Sequence, residues 1–271
     1  MGLDADRSSV DSDVVAKKNK NVERNERRER MERMRREAER AERRRSLVVV
    51  VVCVVIALII GGLTGWKLYQ DNQEAEALAA IDLTDIGVSE AKAGCGDIVT
   101  KPADQPGTHE PEGTPIDYSD APPAFGPHWG TNPDFSRKFQ TAADRLPLER
   151  LVHYSEHGYT TLWYDQTVAD DADALQAVKD MADKFETDVQ ALSTQTDYNN
   201  NKFIAVPWNV DDLEDGDAFP DGAHVALTHW SATGGDNGTG VWQYCDQPSG
   251  EVVQSFMSDY PASDAPEPTA A

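Results

Sequence analysis

Residues 47–65 are 19 consecutive positions without a charge. As a helix rising ~1.5 Å per residue, such a run nearly covers the ~30 Å hydrocarbon core of a bilayer, where each backbone polar group must be satisfied within its own segment. One membrane span is therefore predicted, with Cys53 inside it serving as a small apolar residue. Arg43, Arg44 and Arg45 stand directly before the run, and only Lys67 follows closely. The positive-inside rule then places the N-terminus in the cytoplasm and the larger C-terminal part outside the cell membrane. A cleaved signal peptide is the competing reading. The apolar run is too long for its hydrophobic region, and the segment before it is too long for its basic one.

The two flanks differ in charge. Residues 1–46 hold 15 Lys/Arg and 11 Asp/Glu, a net +4, so the total of −23 leaves −27 for residues 47–271. There 37 acids face 10 basic residues, a surface that repels nucleic acid and anionic headgroups and suits cations, a basic partner or plain solubility. Residues 1–16 are polar and lack apolar periodicity, so disorder is expected. Over 17–46, acids precede arginines at i,i+4: Glu23–Arg27, Glu26–Arg30, Glu29–Arg33, Glu32–Arg36 and Glu39–Arg43. That order supports a solvated cytoplasmic helix running on into the span. Trp66 suits the interfacial belt, 67–82 continue as helix, and 83–94 read as a linker.

Beyond the span, Cys95 and Cys245 lie in what this topology makes an oxidising compartment, and they pair naturally as one disulfide. Closing so long a loop contributes at most roughly 5 kcal/mol through chain entropy. The predicted fold is a single α/β or α+β extracytoplasmic domain over 95–260. It opens with a loop-rich part anchored by Tyr118, Phe125, Trp129, Phe135 and Phe139. Residues 159–164, 203–208 and 224–230 read as strands. Leu175, Val178, Ala182, Phe185, Val189 and Leu192 mark one face of a helix over 171–192. A last helix is expected over 251–260, a loop over 234–240 before Trp242, and a disordered tail over 261–271. The acidic stretch 211–217 fits no EF-hand loop and reads as a solvated turn.

All six histidines follow the span: His109, His128, His153, His157, His224 and His229. His128 ends the stiff string Pro122-Pro123-Ala124-Phe125-Gly126-Pro127, and His153 and His157 flank Glu156. The second string matches H-x-x-E-H, the inverted zinc-peptidase pattern, which requires a helix and a further acidic ligand downstream. Pro147 and Gly158 suit the two ends of such a helix, while Leu151, Val152 and Tyr154 also favour strand. Two readings stand side by side. His128, His153 and His157, completed by Glu156 or His109, bind copper or zinc, which imidazole suits; or the histidines bond backbone carbonyls and lock the loops. No nucleophile elbow organises the serines, so an enzyme is not expected.

The strings Gly107-Thr108-His109, PPxxGPH over 122–128 and HxxEHG over 153–158 resemble a family of membrane-anchored actinobacterial proteins grouped as a domain of unknown function, from about Cys95 to Tyr260. The resemblance implies no established reaction. Some proteins of this general look occur as accessory subunits of the actinobacterial respiratory supercomplex of cytochrome bc and cytochrome oxidase. It therefore implies an accessory or assembly subunit of a larger membrane complex. Gly61 and Gly65, a small-xxx-small pair in the span, would let a partner helix approach, or else form a flexible helix end.

Overall fold

The computed structural model describes residues 5–131, 137–185, 194, 199–213 and 218–269. Helix α1 (Ala5–Ala79) is one uninterrupted run of 75 residues. Glu29 pairs with Arg33 (3.8 Å), Glu32 with Arg36 (3.9 Å) and, in the opposite order, Arg35 with Glu39 (3.6 Å), all on solvated side chains. The side chain of Glu23 lies outside the described residues. The helix takes in 5–16, where disorder was expected. Extending an existing helix requires no new nucleation, so a polar segment joined to a strong helix former is carried along. Within Glu26–Gln70 the helix is long and apolar enough to cross a membrane, by length and composition.

The chain divides into two units, Met1–Gln73 and Glu74–Ala271. The second begins before Cys95, its expected start. Short 3-10 turns at Leu83–Asp85 and Glu90–Lys92 bring Ile86 and Ala93 into the core. Residues 83–94 are thus part of the domain and not a linker, because their spaced apolar side chains find a face to cover.

The remaining elements are β1 (Val99–Pro102), β2 (His109–Glu110), β3 (His128–Trp129), α2 (Leu148–Glu156), β4 (Thr160–Tyr164), α3 (Gln166–Asp170), α4 (Ala172–Lys184), β5 (Phe203–Pro207), β6 (Val225–Ser231), β7 (Thr239–Cys245) and α5 (Gly250–Asp259). Five strands form a mixed sheet in the order β1-β7-β6-β4-β5. Only β4 and β5 are parallel, and α3 with α4 supply the crossover that parallel neighbours require. Successive strand residues alternate between faces. Leu162, Phe203, Ala205 and Leu227 pack with Val178 and Met181 of α4 and Val252 and Phe256 of α5. Trp163, Ile204, Val206 and Ala226 pack on the opposite face with Leu148 and Leu151 of α2. With both faces covered, β4, β5 and β6 are buried at every position, which is why they read as continuous apolar runs.

Several boundaries differ from the sequence reading. Trp242 lies inside β7, a strand the sequence did not announce; Gly240 and Gln243 interrupt its apolar residues. The helix expected over 171–192 is preceded by the separate α3, because Asp171 caps α4 by accepting from Asp173 N and Ala174 N at 3.0 Å each. Val189, Leu192, Phe135 and residues 214–217 lie outside the described residues. Within the acidic stretch, Asp212 is not solvated: it takes both arms of Arg145. Cys95 and Cys245 form the expected disulfide, with an S–S distance of 2.05 Å.

The tail also differs. Residues 262–264 form a 3-10 turn, with Ala262 and Ala265 buried. Asp264 accepts from Ala232 N and Ser231 Oγ, each at 2.6 Å, and Lys202 Nζ donates to Pro268 O at 2.6 Å. Gly158, at φ +87°, leaves the room that Ala262 O occupies. Backbone bonds and close fit hold this segment, and neither shows in a Pro-, Ala- and acid-rich composition.

Candidate metal centre

Helix α2 settles whether the HxxEH string is helix or strand. Pro147 stands at its N-terminal cap and Gly158 adopts the left-handed conformation just past its end. Leu148, Leu151 and Val152 bury its apolar side. The i, i+3, i+4 spacing then brings His153, Glu156 and His157 to one buried region. A two-residue parallel ladder, β2 against β3, sets His109 beside His128.

His128, His153, Glu156 and His157 are all at most 4% exposed, while the His109 side chain is half exposed. His128 Nδ1 lies 2.9 Å from Gly126 O, His153 Nδ1 2.7 Å from Thr131 O, and His157 Nδ1 3.2 Å from Glu267 O. A carbonyl oxygen can only accept, so each Nδ1 carries the proton and donates it. In the neutral rings all three Nε2 atoms are therefore bare lone pairs, and all three point inward. His128 Nε2 lies 2.9 Å from Glu156 Oε2 but finds no aligned hydrogen-bond partner. His157 Nε2 lies 2.7 Å from His153 Nε2, and His109 Nε2 lies 3.4 Å from Glu156 Oε2.

Ligand atoms of His109, His128, His153 and Glu156 all lie within 4.8 Å of one another. Four ligands held ~2.0–2.1 Å from a tetrahedral ion stand ~3.4 Å apart, so the spacing suits one cation with modest closure. Nδ1–H donated to a carbonyl, with Nε2 free, is the usual outer support of a metal-bound histidine. Burial, then the neighbouring His128 and His157, pushes the His153 imidazole down to about 4. Burial likewise lowers His157. For Glu156 burial acts upward, but the neighbouring His128 and His109 prevail and hold the carboxyl below its usual range. Imidazoles that resist protonation and a carboxylate kept ionised are the ligand forms.

All five ligands expected from sequence are in this region, but not as one set. His157, expected in the core trio, falls instead into a second group with Glu156 and Glu267. The helical geometry explains this: four residues along α2 carry His157 past the position His128 reaches. Sequence reasoning missed Glu267, whose backbone N donates to Glu156 O at 3.0 Å, and nothing in the acidic tail distinguishes it from its neighbours. It also missed why residue 107 is glycine. A Cβ there would meet Glu156 Oε1, with Trp230 close behind. His224 and His229 take no part: His224 pairs with Asp165 at 2.8 Å, and His229 is wholly buried in β6 with neither ring nitrogen hydrogen-bonded.

The model of one protein family, described as "Protein of unknown function (DUF3105)", matches residues 109–271, more than half of the chain. The chain belongs to this family. The match begins at His109, later than the expected start at Cys95, and takes in the tail with Glu267, so every candidate ligand lies inside it. No curated protein and no solved structure is detectably similar to the chain.

Proposed function

We propose that this protein is a membrane-tethered metal-holding module that binds zinc or copper(II) through His109, His128, His153 and Glu156. The observation that carries this reading is the set of inward Nε2 lone pairs: His128 and His153 each have Nδ1–H fixed on a backbone carbonyl and Nε2 turned toward the Glu156 carboxylate. Locking histidines alone would need only the Nδ1 bonds and would leave the bare nitrogens facing one another. Three nitrogens and one oxygen, without thiolate or thioether, favour zinc or copper(II) over copper(I). Glu156 sits among the ligands against His128 and His109 and does not stand free as a peptidase base, so binding is favoured over hydrolysis.

To test it, the full chain in detergent is stripped with a chelator, loaded with Zn²⁺ or Cu²⁺, dialysed and analysed for metal. Retained metal that is lost in His128→Ala and His153→Ala supports the reading. A wild-type chain that retains none overturns it.

The Arg43–Arg45 cluster and the disulfide support an extracytoplasmic site, and the span supports a cell-membrane location. A second reading, an accessory subunit of a larger membrane complex such as the cytochrome bc–oxidase assembly, draws on Gly61 and Gly65, a small-xxx-small pair in the apolar run. Because the C-terminal segment is packed, a purification tag belongs at the N-terminus. A chain that purifies alone from mild detergent at low salt removes this reading.

A further inference from the structure

Glu156 belongs to two ligand groups at once: with His109, His128 and His153, and with His157 and Glu267. Resting on the metal-holding function above, we infer that the centre takes two cations bridged by the Glu156 carboxylate, the second completed by His157 and by Glu267 of the C-terminal segment.

A single ion among His109, His128, His153 and Glu156 leaves one group unexplained. His157 is buried, its Nδ1–H is committed to Glu267 O, and its Nε2 lone pair stands 2.7 Å from that of His153. His157 falls outside the first ion's ligand group and into one with Glu156 and Glu267, so with His153 turned to the first ion the His157 Nε2 is left for a second cation. The carboxylates of Glu156 and Glu267 bring the negative charge such an ion needs. Residue 267 is positioned for this by its backbone, which accepts from His157 Nδ1 and donates to Glu156 O, while its side chain stays exposed. The C-terminal segment is thus a built part of the centre.

The two positions differ in kind. The first has four protein ligands. The second has three, one of them exposed, which leaves coordination open to water and resembles the less closed half of a two-metal site with ions ~3.5–4 Å apart. Lys202 Nζ, bonded to His157 O (2.8 Å) and Pro268 O (2.6 Å), puts a like charge nearby. The second ion therefore binds more weakly than the first and fills later.

The stripped full chain in detergent is titrated with Zn²⁺ for stoichiometry and with Cu²⁺ for electron paramagnetic resonance. Two equivalents are expected, with copper signals that couple magnetically as the second enters. Glu267→Gln should keep the first equivalent and its affinity, lose the second, and abolish the coupling. Its unchanged melting temperature would show that the fold is intact, since the backbone makes the structural bonds. One equivalent in both chains overturns the two-cation centre and leaves the metal-holding function standing. No equivalents in either chain defeats that function itself. Two uncoupled equivalents, or two that survive Glu267→Gln, overturn the bridging assignment.

Discussion

The long helix and the α/β unit break the usual distribution of polarity in opposite directions. In α1 the apolar side chains are outside: Leu58 is 70% exposed and Ile60 is 60% exposed, in a run with no charge. In the second unit polar groups are inside: His128, His153, Glu156, His157, Lys202 and His229 are all buried. Soluble chains ordinarily avoid both arrangements. Each becomes favourable only when something else completes it. A bilayer would complete the helix, since bare Val, Ile and Leu gain roughly 25 cal/mol for each Å² removed from water. Hydrogen bonds, or a cation where one binds, would complete the buried polar groups. Lys202 finds two carbonyls; the inward Nε2 atoms have only Glu156 and one another.

The largest expected effect attacks the apolar side of this contrast. Val55→Asp with Leu58→Arg replaces two favourable residues mid-span by charges, a change of roughly 6–8 kcal/mol on insertion scales. The protein should leave the membrane fraction on carbonate extraction. A variant that still sediments fully with membranes would refute the span.

His229 tests the polar side without involving the metal centre. Burial pushes its imidazole down to about 4, with only partial relief from Asp264, and neither nitrogen is hydrogen-bonded. The unfolded chain takes up a proton near the ordinary value of about 6.5, whereas the folded chain waits until about pH 4. Stability is therefore full above pH 6.5 and falls as pH drops toward 4, by ~3 kcal/mol from this residue. Denaturant unfolding between pH 7 and 4 should show His229→Leu losing less stability than wild type across that window. Parallel curves would mean that His229 is not held neutral.

Gly107→Ala is the smallest and sharpest change. A single methyl group placed where Glu156 Oε1 lies forces the carboxylate to turn. Displacing a ligand through its support typically lowers metal affinity ~10–100-fold. Competition against a colorimetric chelator should detect this, with little change in melting temperature. Unaltered affinity would mean that Glu156 does not ligate.

Sequence determined the features whose physics is local or one-dimensional. Uninterrupted apolar length marked a helix long and apolar enough to cross a membrane, because a bilayer reads length along one axis. Runs rich in β-branched and aromatic residues marked the strands over 160–164, 203–207 and 225–231, and a 3.6-residue pattern marked much of α4, because both signals are local to the element that carries them. Two cysteines beyond the span left one pairing. The histidines and Glu156 stood out by residue type alone. Tertiary structure decided the rest. It carried residues 83–94 into the core, added β1 and β7 to the sheet, and folded the tail back so that Glu267 meets α2. It also divided the expected ligand trio, placing His128 in one group and His157 in the other. These outcomes depend on which backbone carbonyl or empty glycine face lies opposite, across separations such as the 110 residues between His157 and Glu267. A composition-poor segment held by backbone bonds and close fit carries no periodic mark in its own residues, so only the folded chain reveals it.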